Sequence, residues 1–370
     1  MRPQSRLHVV GGSHDPGVGC DHDHRAAGRI GGGAVSVAEH DQMADDQMIA
    51  GYRALRTSVA ARRIDRDVLS VSGPDATTYL QGQCSQDVAG LAVGATAASL
   101  LLTPQGKLDA FLRVTWVGDD AFILDTDPGF GEVVKTRLER FRLRVKVEIE
   151  PLSWSGVAVR GPDADRPGVV SDVIDADPSV LRLPVDWPGF AGFDLLGPDT
   201  GPDTGGAGAD AWVAETVVRI GANAWEAARI EAGLPVNGRE LTEATIAAEV
   251  GLVERTVSFD KGCFTGQELV ARLDSRGSKV ARKLAGLVIA GVGVGVGELP
   301  PVGAAVWTSD GEHEVGELTS VAWSPHFGAP VALATLHRRV VPPETVWLRW
   351  EHEGADRQIE AEARPLPLVT

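Results

Sequence analysis

The sequence predicts an α+β protein that ends in a small antiparallel β-barrel. From Ala54 onward, short apolar strands are interleaved with amphipathic helices. After Lys283 the chain changes to glycine-separated β segments at a fairly even spacing, which favours a small barrel. A chain of 370 residues exceeds one ordinary domain and can bury a large core, so we expect two or three structural units.

The first 47 residues differ in composition from the rest of the chain. They contain the run Gly31-Gly32-Gly33, scattered histidines and no sustained apolar period. Such a segment cannot bury enough apolar surface to fold, and we predict a disordered tail over 1–47. A natural start at Met43 or Met48 would make this tail a product of gene calling.

The segment 48–282 is predicted to mix helices and strands. Its strands are bounded by Gly, Pro and Asp turns, and its helices begin after Asp or end at Gly. Loop-forming residues dominate 161–211, where a repeated Gly-Pro-Asp-Thr-Gly unit indicates an exposed insertion at about 197–210. In chain order the predicted elements are a strand over 68–71, a helix after Asp75, a hairpin of 108–117 with 121–125, a helix after Asp127, a strand over 143–149 and a helix through Trp225 to Gly233.

The last segment, 283–370, is predicted as the barrel. Its β segments are rich in Val, Leu and Trp and are separated by glycine, proline or acidic turns. The glycine-rich run 291–297 lacks the third glycine and the following helix of a dinucleotide-binding loop. The predicted strands are 284–289, 304–308, 315–323, 331–336 and 346–350.

The net charge of −16 bears on possible partners. It argues against broad nucleic-acid binding through neutralisation of phosphates. Two local clusters of cations remain. The cluster from Arg137 to Lys146 is typical of a solvated face, whereas the cluster from Arg272 to Lys283 could attract an anionic cofactor.

The cysteine count and the hydropathy pattern bear on the compartment. Cys20, Cys84 and Cys263 are too few for a disulfide framework and indicate a reducing environment. No apolar stretch approaches the ~18 residues that span a bilayer, and the N-terminus lacks the apolar core of a secretion signal. We therefore predict a cytoplasmic protein without a membrane partner. The histidines around Cys20 fit no closed zinc pattern, so no permanently bound metal is expected.

Residues 261–268 read Lys-Gly-Cys-Phe-Thr-Gly-Gln-Glu and carry the strongest indication of a site. A thiol beside a cation is biased toward the reactive thiolate, and Cys263 has such a neighbour in Lys261. The two glycines permit a sharp turn or a close approach of the backbone to a ligand. Gln267 and Glu268 then offer donors and acceptors. The alternative is a glycine-rich turn before an apolar run, with the thiol half-buried.

This octapeptide resembles the signature Lys-Gly-Cys-aromatic-x-Gly-Gln-Glu of the YgfZ-type folate-binding proteins. Two further blocks resemble that family and occur in the same order. Leu80 to Val88 reads Leu-Gln-Gly-Gln-Cys-Ser-Gln-Asp-Val, and Arg229 to Pro235 reads Arg-Ile-Glu-Ala-Gly-Leu-Pro. The resemblance extends from about Tyr52 to the last strands, so the N-terminal tail lies outside it.

YgfZ-type proteins are similar to the aminomethyltransferase, or T-protein, of the glycine cleavage system. The resemblance therefore implies aminomethyltransferase-like α+β units around a central opening, followed by a C-terminal β-barrel. It also implies that tetrahydrofolate or a one-carbon derivative is held in that opening. The implied role is a factor that supports assembly or repair of iron-sulfur clusters, with client enzymes or assembly proteins as partners.

The resemblance assigns roles to the residues around the cysteine. Cys263 would be the working thiol, and Lys261 would lower its pKa. Gln267 and Glu268 would position the partner. One cysteine cannot hold a stable cluster alone, since such clusters usually take four thiolates, so any cluster would be transient or shared with a client.

Folate contacts are predicted for the Arg-Ile-Glu block and for the chain after the cysteine. Glu231 is the candidate acceptor for the pterin, because a buried carboxylate can accept two donors from the ring. Arg229 belongs to the same block, and Arg272 would face the glutamate tail of the folate. The alternative for Glu231 is a helix-end carboxylate that pairs with Arg229 or another nearby cation.

Asp109 separates an enzymatic from a non-enzymatic interpretation. Aminomethyltransferases use an aspartate in a Gly-Gly-x-x-Asp-Asp segment near the folate, whereas residues 105–110 offer one aspartate where that segment has two. A tetrahydrofolate-dependent aminomethyltransferase with a catalytic Asp109 is therefore the alternative function. A strand-edge carboxylate is the structural interpretation of the same residue. A simple folate-binding module without a working thiol is the third hypothesis.

Overall fold

Residues Gln42–Thr370 form one compact unit. The predicted tail lies outside the described residues as far as position 36. A helix begins at Val37, so the predicted boundary at 47 falls inside a helix. Side chains are described from Asp45 onward, and the computed structural model describes residues 37–199, 208–275, 277, 279–290 and 299–370.

The α-helices of the described chain are short apart from the first. The helix predicted through Trp225 ends where the sequence indicates, because Gly233 adopts a φ of +70° that favours glycine. Short 3-10 helices cover Ala209–Trp212 and Ala247–Glu249. The α-helices are α1 (Val37–Thr57), α2 (Ala76–Gln83), α3 (Gly131–Phe141), α4 (Asp172–Asp175), α5 (Ala222–Glu231), α6 (Val253–Thr256) and α7 (Gln267–Asp274).

The strands of the described chain form two open sheets and a closed barrel. Almost all neighbouring strands are antiparallel. They are β1 (Ala60–Ile64), β2 (Asp67–Ser72), β3 (Thr96–Leu102), β4 (Leu108–Gly118), β5 (Ala121–Thr126), β6 (Glu148–Leu152), β7 (Trp154–Arg160), β8 (Leu181–Pro184), β9 (Gly192–Pro198), β10 (Val218–Arg219), β11 (Arg282–Ile289), β12 (Ala305–Trp307), β13 (Glu314–Ser324), β14 (Ala329–His337), β15 (Glu344–His352) and β16 (Ala355–Arg364).

The first sheet has the strand order β3-β4-β5-β2-β6 and packs against α2 and α3. The predicted hairpin of β4 and β5 is confirmed. Its turn residues Asp119 and Asp120 have φ values of 48° and 53°, the left-handed conformation that suits a tight hairpin. The strand predicted over 143–149 begins only at Glu148, because the chain turns at Arg144 with a φ of 60°.

The second sheet has the order β10-β1-β7-β9-β8. It corrects the prediction that residues 161–211 are mainly loop, since β9 is a buried strand inside that range. The predicted insertion at about 197–210 is also shorter at both ends. Pro198 still belongs to β9 and Ala209 is buried, while residues 200–207 lie outside the described part of the chain.

The barrel closes in the order β11-β14-β13-β12-β15-β16, with β16 returning to β11. Helix α5 packs on its outside through small alanines against β13 and β14. The sequence did not predict β16, because most of its side chains are polar and half of them are exposed. Within the described residues, no helix is both long and apolar enough to cross a membrane.

Candidate functional site

The Lys-Gly-Cys loop is fastened to the chain that follows α2. The Lys261 ammonium donates to the backbone carbonyls of Gln81, Cys84 and Gln86 at 2.6, 2.8 and 2.8 Å. A helix leaves its last carbonyls without partners, and the negative end of its dipole attracts a cation. Two of the sequence blocks, although 180 residues apart, therefore form one structural unit.

This contact gives Lys261 a structural role, and its predicted role toward the thiol stays a prediction. An ammonium has three donors, and the three carbonyls use all of them. The side chain is half-buried, and burial lowers the pKa of Lys261 against the opposing effects of Cys84 and Asp87. The Lys261 charge therefore stabilises the loop and donates no hydrogen bond to the Cys263 thiol.

The loop is fixed on the other side of the thiol as well. Phe264 is buried in an apolar cluster, and its backbone N–H donates to Oε1 of Gln267 at 3.2 Å. Gly266 has a φ of +82°, and a Cβ there would lie 2.5 Å from the carbonyl oxygen of Thr103. Only glycine fits that position. Gln267 thus holds the start of α7, a local role different from the predicted contact with a partner.

The two described cysteines have opposite environments. Cys263 is exposed, whereas Cys84 is completely buried. Burial raises the pKa of Cys84 to about 11, although Lys261 and a hydrogen bond with Ser99 act in the opposite direction. Cys84 is therefore an inert thiol, and Cys263 is the accessible one. In the described part of the chain, no group of three or more His, Cys, Asp or Glu residues is arranged to hold a metal ion.

Asp109 lies near the unit that the cysteine loop forms with the end of α2. Its carboxylate forms an ion pair with Arg137. Its Oδ2 accepts from Nε of Arg137 at 2.9 Å. The buried Arg137 also donates to the side chain of Gln83 and to the carbonyl of Leu102, both at 3.0 Å. The guanidinium therefore connects the Leu80 to Val88 block with β3 and β4. This geometry favours the structural interpretation of Asp109 over a catalytic one.

A cleft of about 570 Å³ opens between α3 and the turn that precedes β4. It lies next to the cysteine loop, because the turn from Thr103 to Gly106 packs against Gly266 without a Cβ between them. The cleft is lined by residues of this turn, of β4 and of α3, namely Thr103, Pro104, Gln105, Asp109, Glu132, Val133, Thr136, Arg137, Arg140 and Phe141.

Arg229 has no free face for a cofactor. The side chain is 3% exposed and lies between α5 and the barrel strand β13. Its guanidinium makes two hydrogen bonds to Glu226, at 2.7 and 3.0 Å, and contacts Glu240 and Ser320. Arg229 therefore fastens helix α5 to the barrel, and the predicted folate contact stays a prediction.

Glu231 is also enclosed. Its exposure is 0%, and its carboxylate accepts hydrogen bonds from the hydroxyls of Tyr52 and Ser324. Burial raises the pKa of Glu231, while these two hydrogen bonds and Arg56 lower it in part. The residue joins α1, α5 and β13. Both oxygens have partners from the protein, and the predicted contact of Glu231 with a pterin stays a prediction.

Glu268 and Arg272 lie on α7, one turn apart. Both side chains are exposed, at the first and last turns of this helix. Negative charge at the start of a helix and positive charge at its end favour the helix dipole. These two residues therefore stabilise α7, and their predicted contacts with a partner and a folate tail stay predictions.

A chain of buried ion pairs connects the two open sheets. Asp125 of β5 accepts from Arg66 and Arg113, and Arg113 also donates to Asp194 of β9 at 2.6 Å. Arg160 of β7 completes the chain with a 2.7 Å contact to Asp194. Although burial alone would raise it, Arg160 and Arg113 lower the pKa of Asp194 to about 2. Both sheets thus contribute charge to one polar centre.

Two tryptophans cover the end of this ion-pair chain. The rings of Trp187 and Trp225 have centroids 4.3 Å apart, and both side chains are half-buried. The Arg160 guanidinium lies 4.7 Å from the first ring centroid and 5.2 Å from the second. We call Trp187, Trp225, Arg160 and Asp194 the tryptophan cage. Sequence reasoning missed it, because β9 was assigned to a loop; the sequence signal was the apolar run around Asp194.

The fold defines a class in which two antiparallel sheets with helices precede a closed six-stranded barrel. Two family descriptions match this chain: GCVT N-terminal domain over residues 34–184, and Glycine cleavage T-protein C-terminal barrel domain over residues 282–369. The chain belongs to the glycine cleavage T-protein family. The predicted fold class is confirmed by these matches and by the architecture.

Relatives of two kinds are similar to the chain. The tRNA-modifying protein YgfZ of Klebsiella pneumoniae is 31% identical over 229 residues, which are 58% of this chain and 67% of that protein. The aminomethyltransferase of Streptomyces avermitilis is 29% identical over 321 residues, 80% of this chain and 83% of that protein. The comparisons therefore establish the family that both kinds share.

One solved structure supports the fold over most of the length. The aminomethyltransferase T of the glycine cleavage system from Bartonella henselae superposes with a TM-score of 0.71. The alignment covers 87% of this chain and 89% of that chain at 22% identity. At this identity the similarity concerns the fold alone.

Proposed function

We propose that this protein is a tetrahydrofolate-binding factor of the YgfZ type that supports assembly or repair of iron-sulfur clusters in client enzymes. One observation carries the proposal. Cys263 is exposed on a loop whose backbone is fastened on both sides of the thiol, by Lys261 and by Gly266 with Gln267. A fastened loop holds a surface thiol in a defined position, which suits chemistry on a partner.

The thiol would act as a ligand or nucleophile toward a client. On binding iron, Cys263 would lose its proton to solvent and supply one thiolate, while the client supplies the remaining ligands. Phe259 lies four residues before Cys263 and is 50% exposed, which is unusual for a large aromatic side chain. Exposed aromatic residues often anchor protein interfaces, so we place the client contact around Phe259 and Cys263.

The tryptophan cage is the proposed position of the pterin. The family resemblance implies a folate between the α+β units, and the ion-pair chain is a polar centre to which both sheets contribute. The aromatic faces of Trp187 and Trp225 can stack on a planar ring. The cleft beside α3 is lined by that helix and the first sheet alone, and it is therefore the less suitable position.

Titration with tetrahydrofolate tests the folate assignment. Trp187→Ala should weaken binding about tenfold or more, because stacking on an aromatic ring contributes about 1–3 kcal/mol. The matched control is Trp347→Ala, a half-buried tryptophan on barrel strand β15. If both variants bind tetrahydrofolate with equal affinity, the pterin does not bind at the tryptophan cage.

Client activity in cells tests the thiol. In cells that lack this gene, wild-type protein should restore the activity of iron-sulfur enzymes, and Cys263→Ala should not. Cys20→Ala is the control for the loss of a thiol as such. Since the relative from K. pneumoniae is named a tRNA-modifying protein, iron-sulfur enzymes that modify tRNA are the first clients to assay. Full restoration by Cys263→Ala would reject the role.

Aminomethyl transfer is the second candidate, because aminomethyltransferases match a large part of the chain. It predicts that the pure protein releases ammonia from an aminomethylated lipoyl carrier in the presence of tetrahydrofolate. Asp109→Asn should abolish this release. The ion pair of Asp109 with Arg137 speaks against this candidate, since it occupies one oxygen of the proposed catalytic carboxylate. Ammonia release that depends on Asp109 would make the protein a transferase.

A further inference from the structure

Two tryptophans are neighbours on the outer surface of the barrel. Trp307 of β12 and Trp347 of β15 lie directly opposite each other in the antiparallel ladder. Side chains of such a pair project from the same face of the sheet. The adjacent residues Val306 and Leu348 fill the barrel core, so both tryptophans face outward, where they are half-buried. Two large aromatic side chains therefore lie outside the core that the barrel needs.

A carboxylate flanks this pair of tryptophans at each end. Trp307 is opposite Glu314 of β13 at a β-bulge, and Trp347 is opposite Glu360 of β16. Both glutamates are exposed, and neither forms an ion pair with a described residue. Four adjacent strands thus present one row across the barrel surface. We call Glu314, Trp307, Trp347 and Glu360 the barrel row.

The two tryptophans of the barrel row differ in their cation contacts. The guanidinium carbon of Arg349 lies 4.5 Å from the ring centroid of Trp307. Such contacts are favourable, because the face of an indole attracts cations. Among the described residues, no guanidinium or ammonium makes the same contact with Trp347. Trp347 and Glu360 therefore combine an aromatic ring with a carboxylate, and a cation would suit both.

The charge around the barrel row favours a cationic partner. Asp310 and Glu312, both exposed, lie in the turn between β12 and β13. This turn contacts β15, because the carbonyl of Ser309 accepts from Nε1 of Trp347 at 3.1 Å. The row and the turn together contribute four carboxylates, against which Arg349 supplies one positive charge. Opposite charge on a partner would be attracted to this surface.

Arg349 indicates that the partner also supplies hydrogen-bond acceptors. Within the described chain its guanidinium makes one hydrogen bond, a long contact of 3.4 Å from Nη1 to the carbonyl of Gly311. Its buried Nε has no partner there. A guanidinium has five donors, so most of them are unused. An extended peptide offers backbone carbonyls beside its side chains, whereas a small polyamine offers cations alone.

We propose that the barrel row is a docking site for an arginine-bearing, extended segment of another protein. An arginine of that segment lies against Trp347 and pairs with Glu360, while a backbone carbonyl of the segment accepts from Arg349. Arginine suits the site better than lysine, because a planar guanidinium stacks on an indole and makes two parallel hydrogen bonds to a carboxylate. Docking at this surface requires neither a folate nor Cys263.

Fluorescence polarisation with a labelled peptide of alternating glycine and arginine tests this site. Wild type should bind the peptide at low salt, and Trp347→Ala should bind about fivefold more weakly, because it loses the contact between the cation and the indole. Trp347→Phe keeps an aromatic face, so its affinity should lie between those two. Glu360→Gln should weaken binding about threefold. The matched control is Glu148→Gln, which removes an exposed carboxylate from β6 of the first sheet and should bind as wild type does.

Two results would overturn the docking site. One is equal affinity of wild type and a Trp347→Ala variant that still unfolds cooperatively in urea, and the other is no binding of the peptide by wild type at low salt. Competition with spermine separates a peptide site from a general site for cations. Spermine at equal positive charge should displace the labelled peptide less well than unlabelled peptide does, since it has no carbonyl for Arg349. Equal displacement by spermine would contradict docking of a peptide.

Discussion

The Lys261 ammonium donates hydrogen bonds to backbone carbonyls at the end of α2, and these contacts hold the Lys-Gly-Cys loop in place. The three acceptors come from Gln81, Cys84 and Gln86. These three contacts make the lysine of the motif a positioning residue for the loop, on which Cys263 is exposed.

Replacement of the lysine separates these two roles. Lys261→Met should lower the free energy of unfolding by about 3 kcal/mol, because three carbonyls lose a charged donor. The free energy of unfolding of Lys261→Arg should lie between those of wild type and Lys261→Met, since a planar guanidinium cannot reproduce the three contacts of an ammonium. Urea unfolding gives the stabilities. Unchanged stability together with a shifted pH profile for the Cys263 thiol would return Lys261 to the activating role.

Thiol labelling tests the contrast between the two described cysteines. In a Cys20→Ser background, one thiol should react rapidly with an aromatic disulfide reagent in the folded protein, and a second only in denaturant. The reason is that Cys263 is exposed and Cys84 has 0% exposure. Cys263→Ala should abolish the rapid reaction. Rapid reaction of both thiols in the folded state would contradict the assigned environments.

At the scale of elements, the two glycines of the cysteine loop differ in backbone conformation and in the space available for a Cβ. Gly266 has a left-handed backbone and no space for a Cβ, whereas a Cβ at Gly262 would meet nothing within 4 Å. Gly266→Ala should therefore destabilise the protein by about 3 kcal/mol, from backbone strain and a clash with Thr103. Gly262→Ala should change stability by less than about 0.5 kcal/mol.

Thermal or urea unfolding of the two glycine variants compares them directly. Gly266→Ala should also reduce support of iron-sulfur clients in cells, because the turn before β4 could no longer pack against the loop. Similar stabilities for both variants would show that the loop does not need this close approach.

The sequence predicts elements well where local chemistry decides them. The hairpin at Asp119 and Asp120, the end of α5 before Gly233 and most barrel strands follow from turn residues and apolar patterns. It predicts them poorly where packing decides. Strand β9 lies in a segment of glycine and proline, and β16 has a mainly polar, exposed surface, so neither has the expected pattern.

At the scale of the whole molecule, the site consists of long-range contacts. Lys261 and Gln81 are 180 positions apart, and the ion pair of Arg113 with Asp194 spans 81 positions. Spacing along the chain identified the motifs but could not show which charges would meet. The sequence also could not show that the partners of Glu231 come from α1 and the barrel.

Glu231 gives a pH-dependent prediction for the joint between α1, α5 and the barrel. Burial raises the pKa of Glu231 above its unfolded value. The neutral carboxyl is thus favoured in the folded state, and its stabilising effect is present at low pH and lost as the pH rises through the folded pKa. Glu231→Gln does not titrate. Its stability relative to wild type should therefore improve as the pH rises from the ordinary glutamate pKa of about 4.3 through the raised pKa of folded Glu231.

Urea unfolding of wild type and Glu231→Gln at several pH values measures this difference. The control is Glu268→Gln, which changes an exposed carboxylate on α7. A relative stability of Glu231→Gln that stays constant or falls with rising pH would contradict the assigned protonation of the joint.

Reactivation of an inactivated iron-sulfur dehydratase tests the account most directly. The assay uses an extract from cells that lack this gene, depleted of folates, and adds purified protein with or without tetrahydrofolate. We predict that reactivation requires tetrahydrofolate together with wild-type protein, and that Cys263→Ala gives no more than the extract alone. Equal reactivation by Cys263→Ala, or full reactivation without tetrahydrofolate, would contradict a folate-dependent factor that works through this thiol.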